Sequence, residues 1–236
     1  MQSALPAARA GTICASMELI DGIEWRVSEA PVPYAEALAS MEERAAAIRA
    51  GTQRECVWLL EHPPLFTAGT SADPAELSNP LDFPVYEAGR GGRYTYHGPG
   101  QRVGYLMLDL EKRGRDVRQL VCSLEDWIIA TLGTLSVSAH RAPGRIGIWV
   151  GDGPDEAKIA ALGIRIKRWV TLHGFSINVA PDLAHFGGIV PCGIREFGVT
   201  SLKQIGKEMA MMRVDEALKR EFPQFLNDLS HLDKVS

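Results

Sequence analysis

Residues 90–101 hold most of the groups in this sequence that could do chemistry. Arg90 and Arg93 carry permanent positive charges with several N–H donors. Gly91 and Gly92 let the backbone pass close to a ligand, because neither residue has a Cβ atom. The polar and aromatic residues that follow are Tyr94, Thr95, Tyr96 and His97. Their spacing matches neither common phosphate-loop motif, so a site for another ligand and a polar hairpin are equally good interpretations.

A second candidate is Cys192, which lies between Pro191 and Gly193. A stiff turn can expose the sulfur as a nucleophile, and the backbone N–H groups around it can stabilise an oxyanion. A lone cysteine is more often a small buried side chain, however. That packing role fits Cys14, Cys56 and Cys122 better. No C-x-x-C pair occurs, so the sequence does not predict a structural zinc site.

A third candidate is Lys158, which begins the run K-I-A-A-L-G-I-R at residues 158–165. A lysine drawn into apolar surroundings can have a lowered pKa or can stabilise a neighbouring thiolate. A solvated lysine at the start of a strand is the more ordinary interpretation. The segment Gly174, Phe175 and Ser176 indicates by itself only a strand with small side chains.

Composition limits the classes of protein that this chain can belong to. Of its 236 residues 46% are apolar and 23% are charged, which is enough apolar surface to exclude a disordered chain. A net charge of −4 does not suit a general nucleic-acid or anionic-membrane binder. There is no apolar run of about 18 residues and no signal-peptide core. We therefore expect a cytoplasmic protein whose cysteines are thiols.

The elements that would position these groups follow from the hydrophobic pattern. Apolar residues recur at helical spacing in residues 34–50, 117–132 and 214–221, and Pro223 should end the last helix. Shorter apolar or alternating runs predict strands at residues 23–28, 56–60, 83–87, 93–96, 102–109, 144–151, 158–166 and 169–179. This order predicts a single α+β domain at residues 17–236, with a mixed, mostly antiparallel sheet flanked by helices. Residues 1–16 are predicted to be an N-terminal extension.

Taken together, these segments closely resemble the lipoyl(octanoyl) transferase family. The family signature R-G-G-x-x-T-(aromatic)-H-x-x-G-Q-x-(aliphatic)-x-Y is matched at every fixed position by R-G-G-R-Y-T-Y-H-G-P-G-Q-R-V-G-Y, residues 90–105. Further family segments are K-I-A-A-L-G at 158–163, H-G-F-S-I-N at 173–178, P-C-G-I at 191–194 and L-L-E-H-P-P at 59–64. The similarity spans residues 34–202. One departure is Thr70, where many members have arginine.

The resemblance implies a fold similar to the catalytic domains of biotin and lipoate protein ligases. It also implies transfer of an octanoyl group from acyl carrier protein to a lysine of lipoyl domains. These belong to 2-oxoacid dehydrogenase complexes or to the glycine-cleavage carrier protein. By position, Cys192 would be the nucleophile and Lys158 its neighbour. The implied substrate-binding residues are Arg90, Gly91, Gly92, Arg93, Tyr94, Thr95, Tyr96, His97, Ala161, Leu162, Gly163, Gly174, Phe175 and Ser176. No cofactor or metal is expected, because a thioester donor is already activated.

Three alternatives stay open at this point. An ATP-dependent lipoate or biotin ligase of the same fold would need no cysteine nucleophile. An amidotransferase that takes octanoyl from a carrier domain would share the cysteine chemistry. A non-catalytic module that binds carrier domains would need neither residue. Since acyl carrier protein is acidic, we expect a basic docking face at Arg90, Arg93 and Arg102.

Overall fold

A computed structural model of the protein describes residues 15–189 and 198–230. Cys14 and Cys192 lie outside these residues. The strands are Ala15–Ile20 (β1), Ile23–Ser28 (β2), Cys56–Leu60 (β3), Leu65–Ala68 (β4), Val85–Glu87 (β5), Thr95–His97 (β6), Gln101–Met107 (β7), Ala139–Ala142 (β8), Arg145–Val150 (β9), Ala157–Lys167 (β10), Val170–Asn178 (β11) and Gly198–Val199 (β12). The helices are Tyr34–Arg49 (α1), Val117–Thr134 (α2) and Met211–Ser230 (α3).

Most strands belong to one large sheet in the order β1-β2-β3-β7-β11-β10-β9-β8, and β12 pairs with the start of β10. Neighbours pair antiparallel except for β2 with β3 and β10 with β12, which are parallel. A smaller sheet, β5-β4-β6, lies beside it. The predicted α+β fold with a mixed, mostly antiparallel sheet is thus confirmed.

Helices cover both faces of the large sheet, so its central strands are buried on both sides. Along β3, Val57 and Leu59 face the core that contains α2 and α3, whereas Trp58 and Leu60 face the core that contains α1. This two-residue alternation is the geometry of a pleated strand. It explains why β3 appears in the sequence as an unbroken apolar run.

The C-terminal helix differs from the prediction, which ended it at Pro223. Helix α3 continues to Ser230 with Pro223 inside it. A proline in a helix interior costs about 3 kcal/mol. Beyond it, Phe225, Leu226 and Leu229 are all buried, and each contributes about 1.5–3 kcal/mol. Tertiary packing therefore outweighs the local signal.

Short strands account for the remaining differences. The sequence analysis missed β1, β4, β8 and β12, which have two to six residues each. Strand β4 begins directly after His62-Pro63-Pro64, where the prolines mark the end of β3. The structure places Ser16 in β1. None of the described helices is long and apolar enough to cross a membrane.

Arg102 lies inside the protein and corrects part of the predicted docking face. Arg102 is only 4% exposed, and its Nε lies 2.8 Å from Oδ1 of Asp215 on α3. Burial raises the pKa of the Asp215 carboxyl, and the Arg102 charge opposes that effect. The pair joins α3 to the central strand β7. Arg102 is thus a structural cation and not a surface contact for an acidic partner.

Candidate active site

A cavity of about 540 Å³, measured with its open mouth, lies between the glycine segment and strands β7, β10 and β11. Most of the predicted substrate-binding residues line it: Arg90, Gly92, Arg93, Tyr94, Thr95, His97, Ala161, Leu162, Gly163, Gly174, Phe175 and Ser176. The sheet brings these residues together, because β10 and β11 pair with Gly163 opposite Gly174.

Arg90 fastens the glycine segment to strand β4. Its Nη1 donates to the carbonyl oxygens of Gly91 at 2.9 Å and of Arg93 at 3.1 Å. Its Nη2 donates to the carbonyl and hydroxyl oxygens of Thr67, at 3.0 and 2.7 Å. Arg90 is buried, and hydrogen bonds from a charged donor are strong away from water. These contacts make it an internal clasp for the loop, and they remove it from the predicted docking face.

Glycine is required where the loop meets its neighbours most closely. A Cβ atom on Gly69 would lie 2.1 Å from the carbonyl oxygen of Gly92. A Cβ atom on Gly163 would lie 2.7 Å from Cδ of Arg90. Both distances are far shorter than any real carbon contact, so the clasp depends on these two glycines.

Gly91 and Tyr96 are predicted site residues that do not line the cavity. The Gly91 N–H donates to the carbonyl oxygen of Ile164 at 3.3 Å and anchors the loop to β10. The Tyr96 ring packs among Phe66 and other aromatic residues, and its hydroxyl lies 2.7 Å from His185 Nδ1. Arg93 does line the cavity, and it forms an ion pair with Glu76.

Lys158 lies in a small cavity that adjoins the first one. The two cavities share Tyr94, Thr95, Ala161 and Ser176. The Lys158 side chain is buried, and its Nζ donates to the carbonyl oxygen of Ile146 at 2.8 Å. The same Nζ lies 5.0 Å from the centre of the Trp149 ring. Of the two interpretations of Lys158, the structure contradicts the solvated lysine, because the side chain is buried.

The predicted nucleophile Cys192 lies outside the described residues. Among the other thiols, Cys56 is buried, as its packing role requires. Burial raises the pKa of the Cys56 thiol to about 12, so it is not a nucleophile at neutral pH. Cys122 is exposed on α2, which contradicts the packing role expected for it. The side chains of Leu120, Leu124, Ile128 and Leu132 on the same helix are buried instead.

Two buried histidines, His97 and His173, line the cavity, and a third, His62, lies beside His97. Burial lowers the pKa of His62 to about 4 and, with help from the Arg90 charge, that of His173 to about 3. Burial also lowers the pKa of His97 well below its usual value. All three imidazoles are therefore neutral at pH 7. They provide polar groups at the cavity but add no positive charge to it.

Comparison with known proteins now adds independent information. Residues 33–223 match the family model of the lipoyl protein ligase A/B catalytic domain. The octanoyltransferase of Rhizorhabdus wittichii is 62% identical over 213 residues, which cover 90% of this chain and 96% of that protein. The octanoyltransferase of Sphingopyxis alaskensis is 64% identical over 211 residues, covering 89% and 97%. The chain belongs to the octanoyltransferase family. It is an acyltransferase, and the family context is octanoyl transfer in protein lipoylation.

Solved structures agree with the fold. The bipartite lipoate protein ligase of Thermoplasma acidophilum superposes with a TM-score of 0.63 at 16% identity, covering 84% of this chain and 82% of that one. At such low identity the likeness concerns the fold alone. It confirms the expected similarity between this octanoyltransferase-family chain and lipoate ligase catalytic domains.

Several lining residues were absent from the predicted site of this octanoyltransferase-family chain. They are Tyr34, Thr67, Val103, Tyr105 and His173. Tyr105 and His173 stand inside the quoted family segments, so a closer reading of those segments could have included them. Tyr34 begins α1 and shows no local sign of a site. Its hydroxyl reaches His173 Nε2, 3.1 Å away, only because α1 packs across β7 and β11.

The clasp leads to a first prediction, tested by the substitution Gly69→Ala. The added methyl group would overlap the Gly92 carbonyl, so the glycine segment must shift and the cavity wall with it. We expect octanoyl transfer to fall about tenfold or more, with a loss of about 1–3 kcal/mol of unfolding free energy. Transfer assays and urea titrations measure the two effects.

Gly91→Ala is the matched control within the same loop. A Cβ atom there meets nothing nearer than the Ile164 carbonyl oxygen at 4.0 Å. Its activity and stability should stay close to those of the unmodified protein. Equal damage from both substitutions would show that the close approach at Gly69 is not what the loop requires.

A second prediction concerns the dependence of stability on pH. His62 Nδ1 lies 2.6 Å from the Val32 carbonyl oxygen, and His62 Nε2 lies 2.6 Å from the Tyr105 hydroxyl. Because its folded pKa of about 4 is below the unfolded value of 6.5, the unfolded chain binds the proton more readily. Stability should be complete above pH 6.5 and fall by about 3 kcal/mol through this group as the pH drops to 4.

Urea midpoints at pH 7.5 and pH 4.5 test this sign and size. His62→Gln should lose less stability between the two pH values than the unmodified protein does. His185→Gln, outside the cavity, is the control and should keep the full difference. A His62→Gln variant with an unchanged pH difference would contradict the assignment.

Proposed function

We propose that this chain transfers an octanoyl group from octanoyl-acyl carrier protein to a lysine of lipoyl domains through a thioester on Cys192. The acceptors are the lipoyl domains of 2-oxoacid dehydrogenase complexes and the glycine-cleavage carrier protein. The observation that carries the proposal is the position of the buried Lys158. It lies in a small cavity that shares four lining residues with the larger cavity. This gives a cationic group beside a space for an acyl chain.

The dimensions suit an eight-carbon chain. The part of β10 from Lys158 to Gly163 lines first the small cavity and then the larger one, over about 16 Å at 3.3 Å per residue. An extended octanoyl chain is roughly 9 Å long by carbon–carbon bond lengths. Burial of its methylene groups contributes about 0.8 kcal/mol each, so the fit favours long chains over acetyl donors.

The transfer divides into two acyl exchanges. In the first, the Cys192 thiolate attacks the donor thioester carbonyl, the C–S bond to pantetheine breaks, and the leaving sulfur takes a proton from the Lys158 ammonium. In the second, the acceptor amine attacks the Cys192 thioester, its proton passes to Lys158, and the thiolate is restored. Charge and protons balance over the cycle, and a covalent intermediate makes each step easier.

Lys158 can play this part because of where its strand lies. Val199, only seven residues after Cys192, pairs with Lys158 in the sheet. A positive charge beside a thiol favours the thiolate, which is the reactive form. The Ile146 carbonyl and the Trp149 ring hold the ammonium in place, and Gly147 leaves room for it, because a Cβ atom there would lie 2.8 Å from Lys158 Cε.

The backbone of β10 offers a donor for the oxyanion. The Ile164 carbonyl accepts from Gly91 and so points away from β11. Strand alternation then directs the Leu162 N–H to the same open side, whereas the Gly163 N–H faces β11. Of the N–H groups that could stabilise the tetrahedral intermediate, we favour that of Leu162.

Intact-mass analysis tests the acyl-enzyme directly. After mixing with octanoyl-acyl carrier protein, the full chain should gain the mass of one octanoyl group, and Cys192→Ala should gain none. Cys122→Ala, which removes an exposed thiol elsewhere, should still be acylated. Octanoic acid with ATP should not replace the thioester donor. Acylation of Cys192→Ala, or activity with acid and ATP, would falsify the scheme.

The partnership of Lys158 with Cys192 has its own test. Lys158→Met should raise the pKa of the Cys192 thiol, because a stabilising positive charge is gone. Alkylation by iodoacetamide followed against pH should show the midpoint move upward, with about tenfold slower labelling at pH 7 for each pKa unit. Lys203→Met, at the surface, is the control. An unchanged alkylation midpoint in Lys158→Met would contradict the proposed interaction between Lys158 and Cys192.

A further inference from the structure

A buried chain of hydrogen bonds leads from the cavity wall to the strand beside Lys158. His97 Nδ1 lies 2.7 Å from Gln101 Oε1. Gln101 Nε2 lies 2.9 Å from Asn178 Oδ1, and Asn178 Nδ2 lies 2.9 Å from the Thr200 carbonyl oxygen. All three side chains are at least nine-tenths buried. This series of hydrogen bonds ends next to β10, because the Thr200 N–H donates to the Lys158 carbonyl at 2.9 Å.

The directions of these bonds are fixed by backbone groups that can only accept. The Thr200 carbonyl requires Asn178 to present its NH₂ group, so the Asn178 oxygen faces Gln101. The Tyr96 carbonyl, 3.2 Å from Gln101 Nε2, likewise requires an NH₂ group at that position. The Gln101 oxygen therefore faces His97, and the proton of the neutral imidazole must be on Nδ1.

The other ring nitrogen of His97 then carries a lone pair. His97 lines the large cavity. Its Nε2 lies 3.5 Å from the Thr67 hydroxyl, the outer limit of a hydrogen bond, and that hydroxyl already accepts from Arg90 at 2.7 Å. A stronger donor that enters the cavity can therefore bond to Nε2 without breaking a good contact.

We propose that Gln101, held by Asn178, is a positioning residue that keeps His97 in the Nδ1–H form, so that Nε2 accepts a hydrogen bond from the amine of the incoming lysine. The identity of this donor rests on the proposed function, whereas the form of His97 does not. A hydrogen bond to Nε2 would orient the amine lone pair toward the thioester carbonyl.

The groups around His97 favour the neutral ring that this role needs. The His62 ring centre lies 5.7 Å from that of His97. Burial of the His97 ring is the largest cause of its lowered pKa, and the positive charge of Arg90 acts in the same direction, toward the neutral form. The hydrogen bond that His97 Nδ1–H donates to the Gln101 oxygen opposes them, and it sets which nitrogen keeps the proton.

Nitrogen-15 NMR of the full-length protein labelled at histidine tests the first half of the proposal. The resonances of His97, assigned by comparison with His97→Gln, should show a protonated Nδ1 and an unprotonated Nε2 at pH 7.5. A protonated Nε2 in the unmodified protein would overturn the proposal. This measurement does not depend on any enzymatic activity.

Two substitutions at Gln101 separate positioning from packing. Gln101→Leu removes the acceptor, so His97 should populate both forms and kcat should fall about tenfold, with KM for the carrier-bound donor within about twofold. Gln101→Glu still accepts from Nδ1 and should keep the Nδ1–H form. It loses the NH₂ group that faces the Tyr96 and Asn178 oxygens, but Gln101→Leu loses the same group, so the two variants differ in the acceptor for His97. At pH 8 its kcat should therefore exceed that of Gln101→Leu several-fold.

The direction in which the pH profile of activity shifts distinguishes positioning from packing. A carboxylate beside His97 raises the pKa of the ring, so the acidic limb of the Gln101→Glu profile should move to higher pH. A purely structural Gln101 predicts the reverse order of activity, because Glu buries a charge and Leu does not. Gln101→Glu with no more activity than Gln101→Leu at pH 8, or with an unmoved acidic limb, would overturn the proposal.

The outcomes also separate this proposal from the proposed function. Absence of octanoyl transfer in the unmodified protein would refute the function and leave the NMR result on His97 standing. Normal transfer with the wrong form of His97 would refute only the positioning role. If Gln101→Leu does not fold, the unmodified spectrum and the Gln101→Glu pH profile decide the question.

Discussion

The site depends on one buried guanidinium. Arg90 gathers the carbonyl oxygens of Thr67, Gly91 and Arg93 around a single charge. A loop of glycines has high conformational entropy, and it can form a cavity wall only if something holds its backbone. A fixed cation with a planar set of donors does this better than a lysine, whose three donors radiate from one atom. The glycines in turn allow the approach that the charge requires.

A consequence of this clasp is that the positive charge at the cavity is mostly structural. Around it stand histidines that remain neutral. Arg93 also lines the cavity, where it pairs with Glu76, and Lys158 lies in the adjoining small cavity. The charges of Arg90 and Lys158 therefore do different work. Arg90 shapes the wall, whereas Lys158 lines the small cavity with its ammonium held by the Ile146 carbonyl and the Trp149 ring. An acidic partner meets neither Arg90 nor Arg102 at the surface, since both are buried.

Much of this could be predicted from the sequence, for identifiable reasons. Helices α1 and α2 and the central strands follow from apolar periodicity, which burial on two faces enforces. The site residues on β10 and β11 came from the family segments, and the strand pairing of Gly163 with Gly174 places them opposite each other. Tyr34 and the extension of α3 beyond Pro223 could not be predicted, because both depend on packing between elements far apart in the chain. Residue type alone also does not fix a role. Arg90 is buried and holds the loop, whereas Arg93 pairs with Glu76.

The polar groups behind the cavity show how the fold restricts chemistry. A neutral imidazole can exist in two forms, and a flexible pocket would sample both. Here the Tyr96 and Thr200 carbonyls orient two amides, and the amides orient the ring. The Tyr96 carbonyl belongs to β6 of the smaller sheet, and the Thr200 carbonyl directly follows β12 of the large one, so the two sheets together fix the hydrogen-bond direction at the cavity wall. Gln101 and Asn178 stand on β7 and β11, the same strands that form the cavity floor. The geometry of the sheet and the protonation state of His97 are therefore set together.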